Sequence, residues 1–291
     1  MAENQTTYAV ISADDFGRSS SVNQAIADAH DGGIVTAASI MVGGQAFEDA
    51  IRIARSRSGL SVGLHLTLCD GQAVLSHSEI PDLVDRRGYF EKSPSRAWIR
   101  YSRTSILSQL EKEIEAQFDL LMQTRINPTH VDGHHHLHMH PALFKIVCQK
   151  AAQRGIAWIR IPCEPLSIVF RFLTAKRGAM PFIEWVVFQI LRVSRERTAR
   201  TYGLHVANAV FGLSRSGQVD VKYLFAVLTK QVGCIEIFTH PDTASEAGCR
   251  ELQALTSTVL KDSLASIGVS LGGYREIPIE TLIQDGELER L

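Results

Sequence analysis

The stretch Tyr8-Ala9-Val10-Ile11-Ser12-Ala13-Asp14-Asp15-Phe16-Gly17 begins as an apolar run and ends in two neighbouring carboxylates. A short apolar run is typical of a buried strand, and an α/β protein places its active site at the carboxyl ends of its strands. A lone Asp here would most simply cap the next helix. Two adjacent carboxylates repel each other, which is costly unless a cation lies between them or one serves as a base. The pair therefore favours a functional site.

The same strand-then-helix rhythm continues along the chain. The first buried strand is predicted at residues 8–13, and six more are predicted at residues 37–42, 61–68, 128–132, 157–161, 208–213 and 234–239. Helical patterns lie between them, at residues 22–30, 47–57, 105–124, 141–154, 219–231 and 250–267. Alternating strands and helices imply a parallel sheet covered by helices. About seven strands in one series favour a single-domain, TIM-like (β/α) barrel, which suits 291 residues.

Two insertions interrupt this rhythm. Residues 69–103 form a long connection, and loops of such length are usually functional. Residues 163–201 contain an apolar stretch from Pro181 to Leu191, followed by four arginines up to Arg200. The apolar stretch is too short to cross a bilayer, which takes ~20 residues. It could lie on a membrane surface, cover an apolar ligand or pack in a dimer interface.

Composition limits the partners of this chain. Thirty basic and 31 acidic residues give a net charge of −1, so no overall field attracts nucleic acid. The first residues lack a basic region followed by an apolar run, so we expect no secretory signal and a cytoplasmic protein. Five widely spaced cysteines without a Cys-x-x-Cys pair are typical of reduced, buried thiols.

Histidine is concentrated in Thr129-His130-Val131-Asp132-Gly133-His134-His135-His136-Leu137-His138-Met139-His140, which holds six of the eleven histidines. Imidazole is the commonest protein ligand for a divalent metal, so this cluster predicts a metal site. Two more histidines, His65 and His240, lie within or directly after apolar strands. Each alone could be a core residue.

An Asp and two His from separate strands would supply three ligands and leave positions open for water and substrate. That is the composition of a catalytic zinc site, although other divalent ions accept the same ligands. Such an ion activates water and polarises a carbonyl, a second Asp can take the proton, and a His can protonate a leaving amine. The pattern favours amide or ester hydrolysis.

Four ordered motifs resemble the YdjC-like carbohydrate deacetylases, over about residues 8–276. The motifs are Ala13-Asp14-Asp15-Phe16-Gly17, Gly63-Leu64-His65, the segment from Pro128 to His138, and Thr239-His240-Pro241. Within that family, Arg160-Ile161-Pro162-Cys163-Glu164-Pro165 and Phe211-Gly212-Leu213-Ser214-Arg215-Ser216-Gly217 resemble the branch associated with hopanoid biosynthesis.

The family resemblance implies a deformed (β/α) barrel, one divalent ion (zinc or magnesium) and removal of an acetyl group from an N-acetylglucosamine-type sugar. Carried over by motif, the metal ligands are Asp15, His65 and His134, with Asp14 as general base and His240 as general acid. Four other polar residues of the cluster would orient the ligands or contact the sugar: His130, Asp132, His136 and His138. Asp132 is the best partner for a ligating histidine. Arg160 would hold Asp14 ionised or bind substrate; a surface salt bridge is the alternative.

The branch resemblance implies that the acetylated sugar is attached to a polycyclic lipid. Residues 181–200 would then contact the inner face of a membrane, with a homodimer interface as the alternative. Three other functions stay open: deacetylation of soluble chitooligosaccharides, metal-dependent hydrolysis of an ester or phosphate, and non-catalytic binding of a sugar or lipid.

Overall fold

The computed structural model describes residues 7–172, 180–231, 233–279 and 282. Residues 173–179 of the predicted insertion 163–201, and both ends of the predicted single domain 1–291, lie outside the described residues. The strands are β1 Thr7–Phe16, β2 Ala37–Ile40, β3 Ser61–Leu66, β4 His130–Gly133, β5 Trp158–Ile159, β6 Ala209–Phe211, β7 Gly233–Thr239 and β8 Val269–Leu271. The helices are α1 Ser20–Asp31, α2 Phe47–Arg55, α3 Pro94–Tyr101, α4 Leu107–Gln123, α5 Phe144–Gln153, α6 Leu166–Phe172, α7 Met180–Thr201, α8 Val221–Leu228, α9 Glu246–Leu255 and α10 Thr258–Ser263.

The strands form one parallel sheet, as predicted. Their order is β5-β4-β3-β2-β1-β7-β6. Side-chain contacts show that this sheet is curled. Arg160, directly after β5, lies 2.6 Å from Asp14 on β1, measured from Nη1 to Oδ2. In a flat sheet four strand spacings would separate the two strands by ~19 Å. The contact must therefore cross the interior of a barrel.

The barrel closes incompletely between β5 and β6. Isolated bridges join Trp158 to His205 and Cys163 to Val210, in place of a regular ladder. Strands of two and three residues are too short to form such a ladder. The predicted deformed barrel is therefore confirmed as a curled parallel sheet whose last seam is irregular.

The sequence prediction missed β8 and α3. Residues Val269–Leu271 pair with Thr7–Ala9 at the start of β1. This edge of β1 is open there, because β2 pairs with β1 only from Ser12 onward. A three-residue strand gives no periodic signal. Helix α3 lies inside the connection 69–103, and Ser93 caps it while Pro94 occupies its first turn. These are ordinary helix-start residues that the prediction of a loop overlooked.

One predicted helix, 250–267, is in fact two. Helix α9 ends at Leu255, and the Ser257 side chain accepts a hydrogen bond from the Leu260 amide to begin α10. The predicted helices elsewhere differ from the observed ones mainly at their ends.

Buried apolar residues lie between the sheet and the helices that cover it. In α2, for example, Phe47, Ala50, Ile51 and Ala54 are buried on one face. The barrel interior is different, because it holds charged side chains. Asp14, Asp132, Arg160 and Glu236 are all at most 2% exposed. The polar interior forms the floor of the site described next.

Candidate metal centre at the barrel mouth

An irregularity in β1 brings both of its carboxylates to the barrel mouth. Consecutive residues of a regular strand point to opposite faces of the sheet. The register between β1 and β2 shifts between Ala13 and Phe16, and Asp15 has a φ of 65°. Residues other than glycine seldom adopt this conformation, although Asp tolerates it better than most. As a result Asp14 and Asp15 line the same cavity.

Asp15, His65 and His134 converge from three strand ends. Asp15 Oδ1 lies 3.3 Å from His65 Nε2 and 3.0 Å from His134 Nδ1, and the two nitrogens are 3.3 Å apart. Asp15 Oδ1 is buried without a properly oriented hydrogen bond. Ligands at ~2.0–2.1 Å from a tetrahedral zinc ion lie ~3.3–3.4 Å from one another. The three atoms therefore fit around one divalent ion and could bind it.

The turn after β4 aims His134 at this centre. Residues His134–Met139 form a 3-10 turn in which His135 and His136 have φ values of 50° and 55°. The turn sends three successive imidazoles in different directions. A side chain at Gly133 would place its Cβ 2.8 Å from His138 Nδ1, so only glycine fits there.

Behind the centre, His65 is held by a buried carboxylate. His65 Nδ1 donates to Asp132 Oδ1 at 2.7 Å, and Asp132 Oδ2 accepts from Ser39 Oγ at 2.6 Å. Burial lowers the pKa of His65, but the charges of Asp132 and Asp14 outweigh burial and raise it to about 10. Without a metal, His65 therefore carries a proton that an ion would displace.

Arg160 connects Asp132 with the rest of the buried network. Its guanidinium contacts Asp14 at 2.6 and 2.8 Å, Asp132 at 2.7 Å and Glu236 at 2.6 Å. The alternative of a surface salt bridge is wrong, because Arg160 is only 1% exposed. The same burial excludes direct contact with substrate. Arg160 instead fixes the orientation of the Asp14 carboxylate.

Glu236 is a site residue that the sequence analysis missed. It is a charged residue in the apolar run from Cys234 to Phe238, and that contrast was the available signal. Burial raises the pKa of Glu236 to about 7, against the opposing charge of Arg160. Glu236 thus belongs to the floor of the site.

His130 and His138 are buried and do not reach the cavity. His130 lies 3.0 Å from Ser39 Oγ and 2.8 Å from Thr129 Oγ1, and burial lowers its pKa to about 3. His138 Nε2 donates to the Arg160 carbonyl at 2.8 Å, and burial lowers its pKa to about 4. Contact of either residue with a sugar is excluded, since both are 0% exposed.

His136 has a different position from these two. It is 8% exposed, lines a cavity and packs edge-on against Phe188 and Phe238 at ring distances of 5.5 and 5.0 Å. It can therefore contact a bound molecule.

Two residues at the open side of the centre, Arg18 and Asp70, were also missed. Arg18 Nη1 lies 3.1 Å from Asp15 Oδ2, and its Nη2 donates to Asp70 Oδ2 at 3.0 Å. Asp70 Oδ2 is 3.8 Å from His134 Nε2. The neighbouring His134 ring lowers the pKa of Asp70 to about 2, and the charge of Arg18 acts in the same direction. Asp70 has a φ of 44°, a loop geometry that sequence patterns do not reveal.

His240 faces Asp14 across the mouth. Its Nε2 lies 4.0 Å from Asp14 Oδ2, and its side chain is 30% exposed. Its backbone amide donates to Glu251 Oε2 at 2.5 Å, which fixes the end of β7. A candidate base and a candidate acid therefore lie next to each other at the mouth, where both line the two cavities beside Asp15.

Two cavities meet at this centre, sharing Asp14, Asp15, Arg18, Asp70 and His240. The first, of about 520 Å³, has a mixed lining that includes the apolar residues Val22, Met41 and Ala247 and these polar ones: Ser19, Gln45, Gln72, Tyr89 and Asp242. The second, of about 660 Å³, has an apolar wall: Trp98, Ile99, Ile183, Val187, Phe188, Leu213 and Phe238.

Comparisons with known proteins agree with this architecture. The family described as YdjC-like protein matches residues 8–266. A carbohydrate deacetylase from Geobacillus stearothermophilus is 30% identical over 282 residues, covering 92% of this chain and 97% of the relative. Another from Brevibacillus brevis is 35% identical over 153 residues, covering 53% of this chain and 58% of the relative.

Among solved structures, one from Enterococcus faecalis V583 superimposes with a TM-score of 0.70 at 23% identity, covering 93% of this chain and 98% of that one. Its given name refers to cleavage of cellobiose phosphate. At this identity the likeness shows the fold alone.

Proposed function

This chain belongs to the YdjC-like protein family, and from that premise we propose that it is a metal-dependent hydrolase that removes the acetyl group from an N-acetylated amino sugar. Two relatives named carbohydrate deacetylase support the reaction class. The observation that carries the proposal is the unsatisfied Asp15 Oδ1 facing His65 and His134, with Asp14 beside it. Pure binding of a sugar has no need of this second carboxylate.

Asp14 is the general base in this proposal. An ion held by Asp15, His65 and His134 would supply an acidified water and polarise the acetamide carbonyl. Arg160 donates to both Asp14 oxygens, yet each carboxylate oxygen has a second lone-pair site. Asp14 can therefore accept a proton from water while Arg160 keeps it in place.

His240 is the general acid. Its ring lies 4.0 Å from Asp14, is partly exposed and lines both cavities. From there it can deliver a proton to the nitrogen of the departing amine. Acetate and the free amino sugar are the products.

The shape of the site supports a lipid-linked substrate. Hydroxyl groups of a sugar suit the first cavity, where amides, carboxylates and the Tyr89 ring are available. The apolar wall of the second cavity suits a hydrocarbon aglycone. We propose a glycosylated polycyclic lipid of the hopanoid class, with the N-acetyl group placed where the cavities meet. Soluble chitooligosaccharides, which need no apolar wall, are the alternative.

The decisive experiment follows loss of the acetyl mass from N-acetylglucosaminyl lipids and from chitooligosaccharides, with and without a chelator. We expect turnover of the lipid that stops on chelation and returns with added zinc or magnesium. Turnover of the soluble oligosaccharide alone would eliminate the lipid-linked substrate. Activity that survives complete metal removal would overturn the metal-dependent reaction.

Two variants test the assigned roles. Asp14→Asn keeps the shape of the side chain and should retain bound metal while losing most turnover, whereas His134→Ala should lose the metal. Near-normal rates in Asp14→Asn would show that another group takes the proton.

A further inference from the structure

The outward face of α7 carries an exposed apolar row that continues into a basic end. Ile183, Val187, Ile190 and Val193 are 50, 39, 73 and 55% exposed. At 3.6 residues per turn these four share an arc of about 140° with two residues farther along, Arg197 and Arg200. Both arginines are exposed. The opposite face of the helix is buried through Phe188, Arg195 and Ala199.

Not all four arginines of this segment belong to the basic end. Arg195 donates from Nε to the Met139 carbonyl at 3.2 Å and is 9% exposed, and Arg192 pairs with Glu196 at 2.5 Å. Only Arg197 and Arg200 face outward with the apolar row.

Two neighbouring helices extend the apolar row into a ridge. Ile99 of α3 is 71% exposed and lines the same cavity as Ile183 and Val187. Phe170 of α6 is 62% exposed, and its ring centre lies 6.3 Å from that of Phe182 on α7. We name this surface the mouth ridge, and it consists of Ile99, Phe170, Ile183, Val187, Ile190 and Val193.

Basic residues of α3 and α7 flank the mouth ridge, although the whole chain has a net charge of −1. Residues 92–103 include Lys92, Arg96, Arg100 and Arg103 and no acidic residue. Arg96 precedes Ile99 by three residues, so the two lie on one side of α3. Within the described residues, no carboxylate forms an ion pair with Arg96, Arg103 or Arg197.

The described part of the chain has no helix with the length and apolar character needed to cross a membrane. A helix with an apolar row and flanking Lys or Arg can instead lie in the plane of an interface, with its apolar side chains among the lipids and its cations near anionic headgroups. The mouth ridge has this arrangement.

We propose that the mouth ridge docks on an anionic phospholipid bilayer, with the apolar-walled cavity opening toward the lipid. A second copy of the chain fits this surface less well. Ile99, Ile183 and Val187 form both the ridge and the cavity wall, so a rigid partner seated there would obstruct the entrance. A fluid bilayer would leave it accessible. This proposal concerns binding and goes beyond the proposed reaction.

The test is flotation of the intact protein, without substrate, on phosphatidylcholine vesicles with and without about 30% phosphatidylglycerol. We expect binding to the anionic vesicles that weakens as salt is raised. Ile190→Glu should reduce the partition coefficient about tenfold or more, because it replaces an apolar side chain that would be buried in the bilayer with a charged one. Arg197→Glu should reduce it less and remove part of the salt dependence.

Val259→Glu is the matched control. Val259 is 77% exposed on α10, whose Lys261 Nζ reaches the Gly32 carbonyl near the opposite end of the barrel. It should bind vesicles like the unchanged protein. Equal effects of Ile190→Glu and Val259→Glu, or no binding to anionic vesicles, would overturn the proposal. So would conversion of a dimer to a monomer by Ile190→Glu with vesicle binding unchanged.

The tests of vesicle binding and of deacetylation can give different outcomes, so each proposal can be rejected without the other. A protein that binds vesicles but deacetylates nothing would contradict the proposed reaction and leave the docking surface standing. A protein that deacetylates sugars but does not bind vesicles would contradict the docking surface and leave the proposed reaction standing.

Discussion

The two histidines of the centre face the same point from very different surroundings. Behind His65, Asp132 and Arg160 form a buried network in which the polar contacts are 2.6 to 2.8 Å long. Behind His134, Asp70 is 3.8 Å away with 33% of its side chain exposed, and Arg18 is 41% exposed. The rear of the site is therefore built to hold its geometry, while the front can exchange partners with water and substrate. Removing a rear contact should cost far more than removing a front one.

The largest effect is expected at Arg160. Arg160→Met leaves Asp14, Asp132 and Glu236 buried without their cation, and breaking a buried pair costs about 3–5 kcal/mol. Urea denaturation should show a loss of this size or a chain that fails to fold. Arg57→Met is the control, because its pair with the exposed Asp31 should contribute at most about 1 kcal/mol. Equal losses in both variants would mean that the buried network does not stabilise the rear of the site.

Asp132→Asn should show the next effect, on metal affinity. The amide cannot accept from His65 Nδ1 with the strength of a carboxylate, so the ring loses orientation and basicity. Zinc affinity, measured by competition with a chromogenic chelator, should fall about 10- to 100-fold. Unchanged zinc affinity in a folded variant would show that Asp132 does not act through His65.

Buried histidines give the rear of the site a pH dependence. The pKa of His138 in the folded protein is about 4, below its ordinary value of 6.5, so the unfolded chain binds one more proton between these values. The contribution of the neutral, buried His138 to the free energy of unfolding is therefore complete above pH 6.5 and is lost as the pH falls toward 4. The slope is about 1.4 kcal/mol per pH unit for one histidine.

The variant His138→Gln shows how much His138 contributes to the pH dependence of stability. Glutamine can still donate to the Arg160 carbonyl but does not titrate, so the free energy of unfolding should change less steeply between pH 6.5 and 4. Denaturation curves at several pH values give the comparison. An unchanged slope would mean that His138 contributes nothing to the acid sensitivity.

How much the sequence could predict also differs between rear and front. The strand ends alone predicted that an Asp and two His would converge, because parallel strands share one carboxyl edge. The family resemblance then selected Asp15, His65 and His134 among the candidates. Glu236 left a detectable signal as a charge inside an apolar run. Arg18 and Asp70 left none, since their positions depend on the bulge in β1 and on a loop residue with a φ of 44°. Arg160 was one predicted partner of Asp14, but its contacts with Asp132 and Glu236 across the barrel depend on curvature that no local pattern encodes.

Asp70→Asn should have the smallest effect, and it probes the front directly. Asp70 lies beyond hydrogen-bonding distance of His134 and is already paired with Arg18, so its charge adds little to the orientation of the ring. Zinc affinity should fall less than about fivefold, since partly exposed pairs contribute ~0–1 kcal/mol. The Michaelis constant should change more than the turnover number, because Asp70 lines both cavities. A loss of zinc affinity as large as that of Asp132→Asn would mean that the two histidines are held alike, and that the front of the site is as fixed as the rear.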